Sequence, residues 1–307
     1  MDKPLLSICI PTFNRAPFLK ECLKSLADQF SSPLIKNRVD IFILDNQSAD
    51  NTSEIVKPFI EAYDNIKYIV DSEPRKIIPG IIKAASLADG EYVWVFSDDD
   101  LQSSDSLTTL IDFINKNHSD LILGNIMGFS DKSDTKYNNL LKVSEDVVMN
   151  NKKEFFALLN TKFNTSIDYY TTLCSNWIIK KEIYDKNSYI FEKFNDKSDM
   201  FPFPSLFFYT DMEFSAGVIA KEIVLNRGDN ETWGSKNKIK HFFYRHELWK
   251  NFYQKIIDNN TESLPNDFIK KVKVKNLARI KDLLKIIAII ILRKIKLYDQ
   301  LKKIIKK

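Results

Sequence analysis

The chain has 307 residues, 44% of them apolar and 28% charged, with a formal net charge of +4. That length and apolar content can bury a large core, read as a main domain with additions. Its three cysteines, Cys9, Cys22 and Cys174, lack metal-ligand spacing and read as thiols of a reducing compartment, which leaves out a disulfide scaffold and a cysteine-based metal centre.

In chain order, Leu5-Leu6-Ser7-Ile8-Cys9-Ile10 is a short apolar strand closed by Pro11-Thr12-Phe13-Asn14-Arg15. A helix follows from about Pro17, with Phe18, Leu19, Cys22, Leu23 and Leu26 at helical spacing. Val39-Asp40-Ile41-Phe42-Ile43-Leu44 is the next strand, ending in Asp45-Asn46-Gln47-Ser48-Ala49-Asp50, and a helix runs through Ile55, Val56, Phe59 and Ile60. Residues 66–70 form a weaker strand, and residues 81–88 a helix. Strand and helix thus alternate up to Glu91-Tyr92-Val93-Trp94-Val95-Phe96, a pattern that predicts an α/β fold with a parallel sheet.

That last strand stops in Ser97-Asp98-Asp99-Asp100. Three adjacent carboxylates repel one another and are costly to bury, so the arrangement calls for a counter-charge. Mg²⁺ or Mn²⁺ would supply it, because these ions favour carboxylate oxygens and keep positions open for substrate phosphates. An exposed acidic loop capping the next helix is the plainer alternative. In parallel sheets ligands bind beyond the carboxyl ends of strands. Residues 11–15, Asp45 and residues 98–100 all fall at such ends, so three polar groups are expected to converge on one edge.

Ser7-Ile8-Cys9-Ile10-Pro11-Thr12-Phe13-Asn14-Arg15, then Leu44-Asp45-Asn46-Gln47-Ser48-Ala49-Asp50, then Asp89 to Asp100 resemble the three ordered signatures of family 2 glycosyltransferases. Within that family the chain is most similar to bacterial polysaccharide and O-antigen transferases of the abequosyltransferase-like group. The likeness is good over roughly the first 125 residues and looser beyond. It implies a GT-A fold: a Rossmann-like, mixed but mainly parallel sheet flanked by helices. Residues 1–125 would form the nucleotide-sugar half, residues 126–265 the acceptor and catalytic half, and residues 266–307 a helical extension.

The resemblance also implies roles. Pro11, Thr12, Asn14 and Arg15 would line the nucleotide pocket, and Asp45 would bind the donor's base or ribose, although a helix N-cap or an Asx turn is the structural alternative for Asp45. One carboxylate of the acidic run would face the ribose and another would bind the metal on the diphosphate. Pattern matching selects Asp98 and Asp100 as the metal pair, with Asp98 and Asp99 facing the donor; a second register puts Asp99 on the metal. Many relatives carry an Arg-Asn pair in the preceding helix. Here Lys83 stands near that position, and Arg75 or Lys76 could supply a positive charge to a phosphate.

An inverting transfer needs a carboxylate to take the proton from the acceptor hydroxyl. Asp199 and Asp211 are the two candidates, Asp199 falling nearer the start of a helix that leads to Gly217 and a strand over residues 219–225. Arg227 to Trp233 resembles a loop that closes over the site, and residues 130–139 read as a polar surface loop. His118, His241 and His246 form no ligand motif.

Residues 270–307 hold fourteen Lys or Arg against Asp282 and Asp299, a local +12 that leaves −8 on residues 1–269. Within this tail, residues 283–292 form an Ile-rich run too short for the ~20 residues that span a bilayer. It suits a helix in the interface, with lysines on anionic headgroups, so residues 281–307 are expected to touch the membrane. Packing of that helix on the catalytic domain is the alternative, and the Ile-rich face argues against nucleic acid. The N-terminus lacks a basic and apolar leader, so no secretory signal is expected. The sequence therefore predicts a metal-dependent inverting enzyme, cytoplasmic and peripheral at the inner face of the cell membrane. It would move a sugar from a nucleoside-diphosphate donor to a lipid-linked glycan acceptor. An inactive sugar-nucleotide-binding or scaffold protein is the alternative. An all-helical prenyl-diphosphate enzyme is disfavoured by the strand before Asp98.

Overall fold

The computed structural model describes residues 3–131, 133–137, 143–162, 173–193, 202–228, 254–256, 258–260 and 264. The first half follows the expected alternation: β1 (Leu6–Thr12), α1 (Ala16–Ala27), α2 (Pro33–Lys36), β2 (Val39–Asp45), α3 (Thr52–Ala62), β3 (Ile66–Val70), α4 (Ile77–Ser86) and β4 (Tyr92–Val95). Then come β5 (Leu101–Gln102), α5 (Ser106–Asn117), β6 (Leu121–Ser130), β7 (Ser133–Tyr137), β8 (Val147–Met149) and α6 (Lys152–Lys162). The described chain continues through β9 (Trp177–Lys180), α7 (Lys181–Asn187), α8 (Pro202–Phe208) and β10 (Ala216–Arg227).

All ten strands share one mixed sheet in the order β3-β2-β1-β4-β9-β6-β10-β5, with β7 against β6 and β8 against β10. β1 pairs in parallel with β2 and β4. β9 lies antiparallel between β4 and β6, and β10 runs parallel to β6. Strands before and after residue 125 therefore belong to the same sheet.

Alternation along the central strands builds two cores, one on each face. Leu6, Ile8, Ile10, Tyr92, Trp94 and Phe96 point into one, where α1 contributes Leu19, Leu23 and Leu26 and α5 adds Leu107, Leu110 and Ile111. Cys9, Val93 and Val95 enter the other with Ala84 and Ala85 of α4 and an aromatic group of Phe155, Phe156, Phe207, Phe208, Phe214 and Trp177. Burial on both faces explains why β1 and β4 read as continuous apolar runs. Cys9 and Cys22 are buried free thiols, and Cys174 is a partly exposed one.

Three expectations change. Residues 130–139 are not all loop, because β7 pairs back onto β6 through Gly128–Tyr137 and Ser130–Ser133; backbone pairing needs no apolar pattern. The strand after Gly217 is longer than residues 219–225, since β6 supports it from Leu121 to Phe129 through register shifts near Glu222. β9 was not foreseen: four residues inserted between β4 and β6 offer no periodicity of their own. The basic tail, residues 266–307, lies outside the described residues. Among the described residues no helix is long and apolar enough to cross a membrane.

Gly90 sets β4 against β1. A Cβ there would lie 2.7 Å from the Ser7 backbone nitrogen and 2.9 Å from the Ser7 hydroxyl that the Gly90 N–H donates to. Because backbone cannot yield, Gly90→Ala is expected to cost about 1–3 kcal/mol, read as a lower urea midpoint at unchanged slope.

Candidate active site

The parallel strands run outward from β1 in both directions, so the strand order reverses between β1 and β4. That is the position where an open α/β sheet leaves a crevice beyond its strand ends. The loop after β1 and the acidic turn after β4 face each other across it. Within the turn, the Asp100 N–H donates to the Ser97 carbonyl at 3.2 Å.

The three carboxylates have different surroundings. Asp98 pairs with Arg15 Nε at 3.0 Å and accepts from the Thr12 hydroxyl at 2.8 Å. Asp99 pairs with Arg15 Nη2 and accepts from the Ser97 hydroxyl. One guanidinium from the loop after β1 thus spans two carboxylates. Asp100 is only 1% exposed, and one of its oxygens accepts both Asn226 Nδ2 at 2.8 Å and the Arg227 N–H at 3.2 Å. Ser175 joins this group: its hydroxyl reaches the Asp100 carboxylate and accepts the Ser97 N–H at 2.9 Å. Burial pushes the Asp98 carboxyl up to about 7, against the opposing pull of Arg15 and Thr12. Burial and the adjacent Asp99 raise Asp100 as well.

Arg227, the last residue of β10, is a second cation in the turn. Its Nε donates to the Asp99 carbonyl at 3.0 Å, and its other nitrogens pair with Glu21 and Asp131. Its guanidinium stands 5.3 Å from the Phe18 ring centre and 4.8 Å from that of Phe129. Arg15 is also 5.3 Å from the Phe18 ring, so one aromatic side chain supports both arginines.

The other wall comes from β2 and β3. Asp45 accepts from the Ser48 N–H, three residues on, at 2.9 Å and from the Tyr68 hydroxyl. Asn46 exchanges bonds with the backbone of Arg75, and Arg75 Nε donates to Asp71 at 2.6 Å. This bond holds Asp71 below the usual carboxylate range, aided by the charge of Lys83. Asn14, at φ 51°, reaches across to accept the Ala49 N–H at 2.7 Å, and its own N–H donates to Ser48. Asn adopts that left-handed backbone at little cost.

Pro11, Thr12, Asn14, Arg15, Asp45 and Asp98, Asp99 and Asp100 are therefore brought to one edge, as expected from the strand ends. Lys83 is exposed on α4 beside Asp71, and Arg75 is already committed to Asp71. Asp199 lies outside the described residues, as does the segment after Gly228. Asp211 is not brought to the acidic turn. Ala216 pairs with Leu121 and Met149 at the amino-terminal edge of the sheet. There Lys152 Nζ donates to the Thr210 carbonyl at 2.5 Å, and its N–H donates to Glu213 at 3.4 Å. Asp211 sits between those two tethers, at the opposite edge. Sequence reading missed Ser175 and Asn226, and did not foresee that Arg227 would grip the acidic turn itself; none of the three carries a local signal.

Sheet order, crevice and acidic turn together define a GT-A glycosyltransferase fold. The chain belongs to glycosyl transferase family 2, whose pattern matches residues 7–187. It is similar to the abequosyltransferase RfbV of Salmonella typhimurium, with 27% identity over 82% of this chain and 77% of that protein. It is also similar to the GalNAc(5)-diNAcBac-PP-undecaprenol beta-1,3-glucosyltransferase of Campylobacter jejuni, with 28% identity over 62% and 63% of the two chains. Among solved structures, TarS of S. aureus in complex with UDP-GlcNAc superposes with a TM-score of 0.62 at 19% identity, covering 90% of this chain and 72% of that one. A mannosyltransferase from Pyrobaculum calidifontis in complex with GDP-Man and Mn²⁺ gives 0.59 at 16% identity, covering 94% and 74%.

A carboxyl whose folded value is raised stabilises the protein below its unfolded value and loses that contribution as pH rises through the folded one. For Asp98 the window runs from about 4, the unfolded value, to about 7. Thermal melts across it should show ligand-free stability falling with pH, and Asp98→Asn should flatten that slope.

Proposed function

We propose that the protein is a metal-dependent, inverting glycosyltransferase that moves a sugar from a nucleoside-diphosphate donor to a hydroxyl of a lipid-linked glycan during cell-surface polysaccharide synthesis. The observation that carries this reading is the acidic turn at the strand-order reversal, faced by Thr12 and Arg15 and flanked by the Asp45 loop. Nucleotide sugars named in the TarS and mannosyltransferase complexes support the donor class. The undecaprenol-linked substrate in the name of the Campylobacter relative supports the acceptor class.

The donor set fits a hard divalent cation. The turn offers carboxylate oxygens beside the Ser97 hydroxyl, oxygen ligands of the kind Mg²⁺ and Mn²⁺ prefer. Among the described residues no three His, Cys, Asp or Glu side chains converge as a complete metal cage. That suits an ion held by one or two carboxylates and otherwise by water and the donor's phosphates. When bound, Mg²⁺ or Mn²⁺ would offset the charge of the departing diphosphate.

The protein's own residues do the rest. Asp98 and Asp99 would face the donor and the acidic turn would hold its cation, while Arg15, paired to both carboxylates, compensates their charge. Thr12 and Ser97 fix the two carboxylates in one rotamer each. Asp45 and the Asn46–Arg75 clasp form the wall beside the base and ribose. Asp199 is the proposed base: it takes the proton from the acceptor hydroxyl as that oxygen bonds to the anomeric carbon and the carbon–diphosphate oxygen bond breaks.

Thermal shift with UDP, GDP, CDP and dTDP should show one of them stabilising the protein only with Mn²⁺, and Asp98→Ala should abolish that shift. No stabilisation by any nucleotide would sink the donor reading. Asp199→Asn should lower kcat by at least about 100-fold with donor binding intact, while Asp211→Asn should not. Residues 281–307 are proposed to hold the enzyme on anionic membranes; deleting them should release it from phosphatidylglycerol vesicles in sedimentation and spare nucleotide binding.

A further inference from the structure

Asp45 occupies a position that strand alternation gives to the core. Along β2, Phe42 and Leu44 enter one core and Ile41 and Ile43 the other, and Asp45 follows the two isoleucines on their face at 3% exposure. Among the described residues no Lys or Arg forms an ion pair with it. Neutral donors meet it instead: the Ser48 N–H gives to Oδ1 at 2.9 Å and the Tyr68 hydroxyl to Oδ2 at 2.5 Å. A buried carboxylate without a cation is costly unless donors surround it. An ionised carboxylate offers about four acceptor positions, so two donors leave about half of them for a ligand.

Of the two donors, only Tyr68 comes from another strand. β3 is the edge of the sheet, paired with β2 alone, and Tyr68 lies opposite Ile43. Its half-buried ring packs against the core that holds Ile41 and Ile43, and its hydroxyl reaches one residue pair further, to Asp45. Burial and the bond to Asp45 push the phenol up from its ordinary value, so it remains a proton donor at physiological pH. A ring fixed by packing holds its hydroxyl at a fixed point. The Ser48 N–H belongs to the loop itself and moves with it.

We propose that Tyr68 is a positioning residue for the donor's nucleoside: its hydroxyl fixes the Asp45 carboxylate in one rotamer, with its free lone pairs toward the crevice before a nucleotide arrives. It acts through Asp45 and touches no substrate. This rests on the role given to Asp45 in the donor reading above and deepens it, because it makes the core face of an edge strand part of what sets nucleoside affinity.

Tyr68→Phe removes one oxygen and keeps the ring. With Mn²⁺ present, whichever of UDP, GDP, CDP and dTDP stabilises the wild type should bind about 10-fold more weakly to Tyr68→Phe. Inorganic pyrophosphate, which carries no nucleoside, should stay within about 2-fold. Equal losses for the two ligands would overturn the positioning role, since the whole crevice would then be disturbed. The loss should also run through Asp45: in an Asp45→Ala background, Tyr68→Phe should change nucleotide binding by less than about 2-fold. A further loss of about 10-fold there, or full nucleotide binding by Asp45→Ala alone, would refute the proposal. A third measurement needs no ligand. Amide hydrogen exchange of residues 46–50 should quicken at least about 5-fold in Tyr68→Phe, with β4 unchanged, because the Ser48 N–H loses a fixed acceptor. Unchanged exchange there would count against Tyr68 as the support of Asp45. Should the wild type take up none of the four nucleotides, the donor reading fails, and the exchange result still decides whether Tyr68 holds Asp45.

Discussion

Three carboxylates follow one another at the end of a buried strand, and the surrounding architecture is arranged to compensate them. β4 is apolar and buried on both faces, so it supplies no counter-charge of its own. Compensation must come from outside the strand. It arrives from three directions: Thr12 and Arg15 after β1, Ser175 before β9, and Asn226 and Arg227 at the end of β10. Burial raises the Asp98 carboxyl to about 7 even against the pull of Arg15 and Thr12.

This arrangement explains why the sheet continues past the four parallel strands. A nucleotide crevice needs only β1 to β4 and their helices. β9 and β10 add nothing to that crevice by packing alone, yet each ends a segment whose polar residues reach the acidic turn. The antiparallel β9 is what lets Ser175 approach, since its amino-terminal end lies beside the carboxyl end of β4. β10 runs with β6 and so carries Asn226 and Arg227 to the same edge. The aromatic group around Trp177, Phe207, Phe208 and Phe214 anchors these later elements from below the sheet. Packing energy from that group supports the position of polar atoms at the other edge.

Charge is distributed to match. The described half of the site carries its cations, Arg15 and Arg227, against one ring, Phe18, so that both are held while facing acidic partners. The family shows a fold that many chemistries share, and site residues rather than fold decide the reaction. Here the carboxylates and the two arginines are what distinguish this edge from a generic crevice.

Much of this was legible in the sequence, because the information is local. Apolar runs of strand length alternating with helical spacing set β1 through β4, and turn residues after each apolar run marked where polar groups gather. Residues 11–15, Asp45 and Asp98 to Asp100 could be placed on one edge from that pattern alone, since parallel strands point their carboxyl ends the same way. The partners of Asp100 could not: Asn226 is joined to it only by the pairing of β10 with β6 and β5, and no periodicity encodes which strands become neighbours. Asp211 precedes β10, and strand direction carries it to the edge opposite the acidic turn. Side-chain type and short-range spacing are fixed by the chain itself, whereas the order and direction of strands depend on how distant segments bury one another, and only the folded sheet decides that.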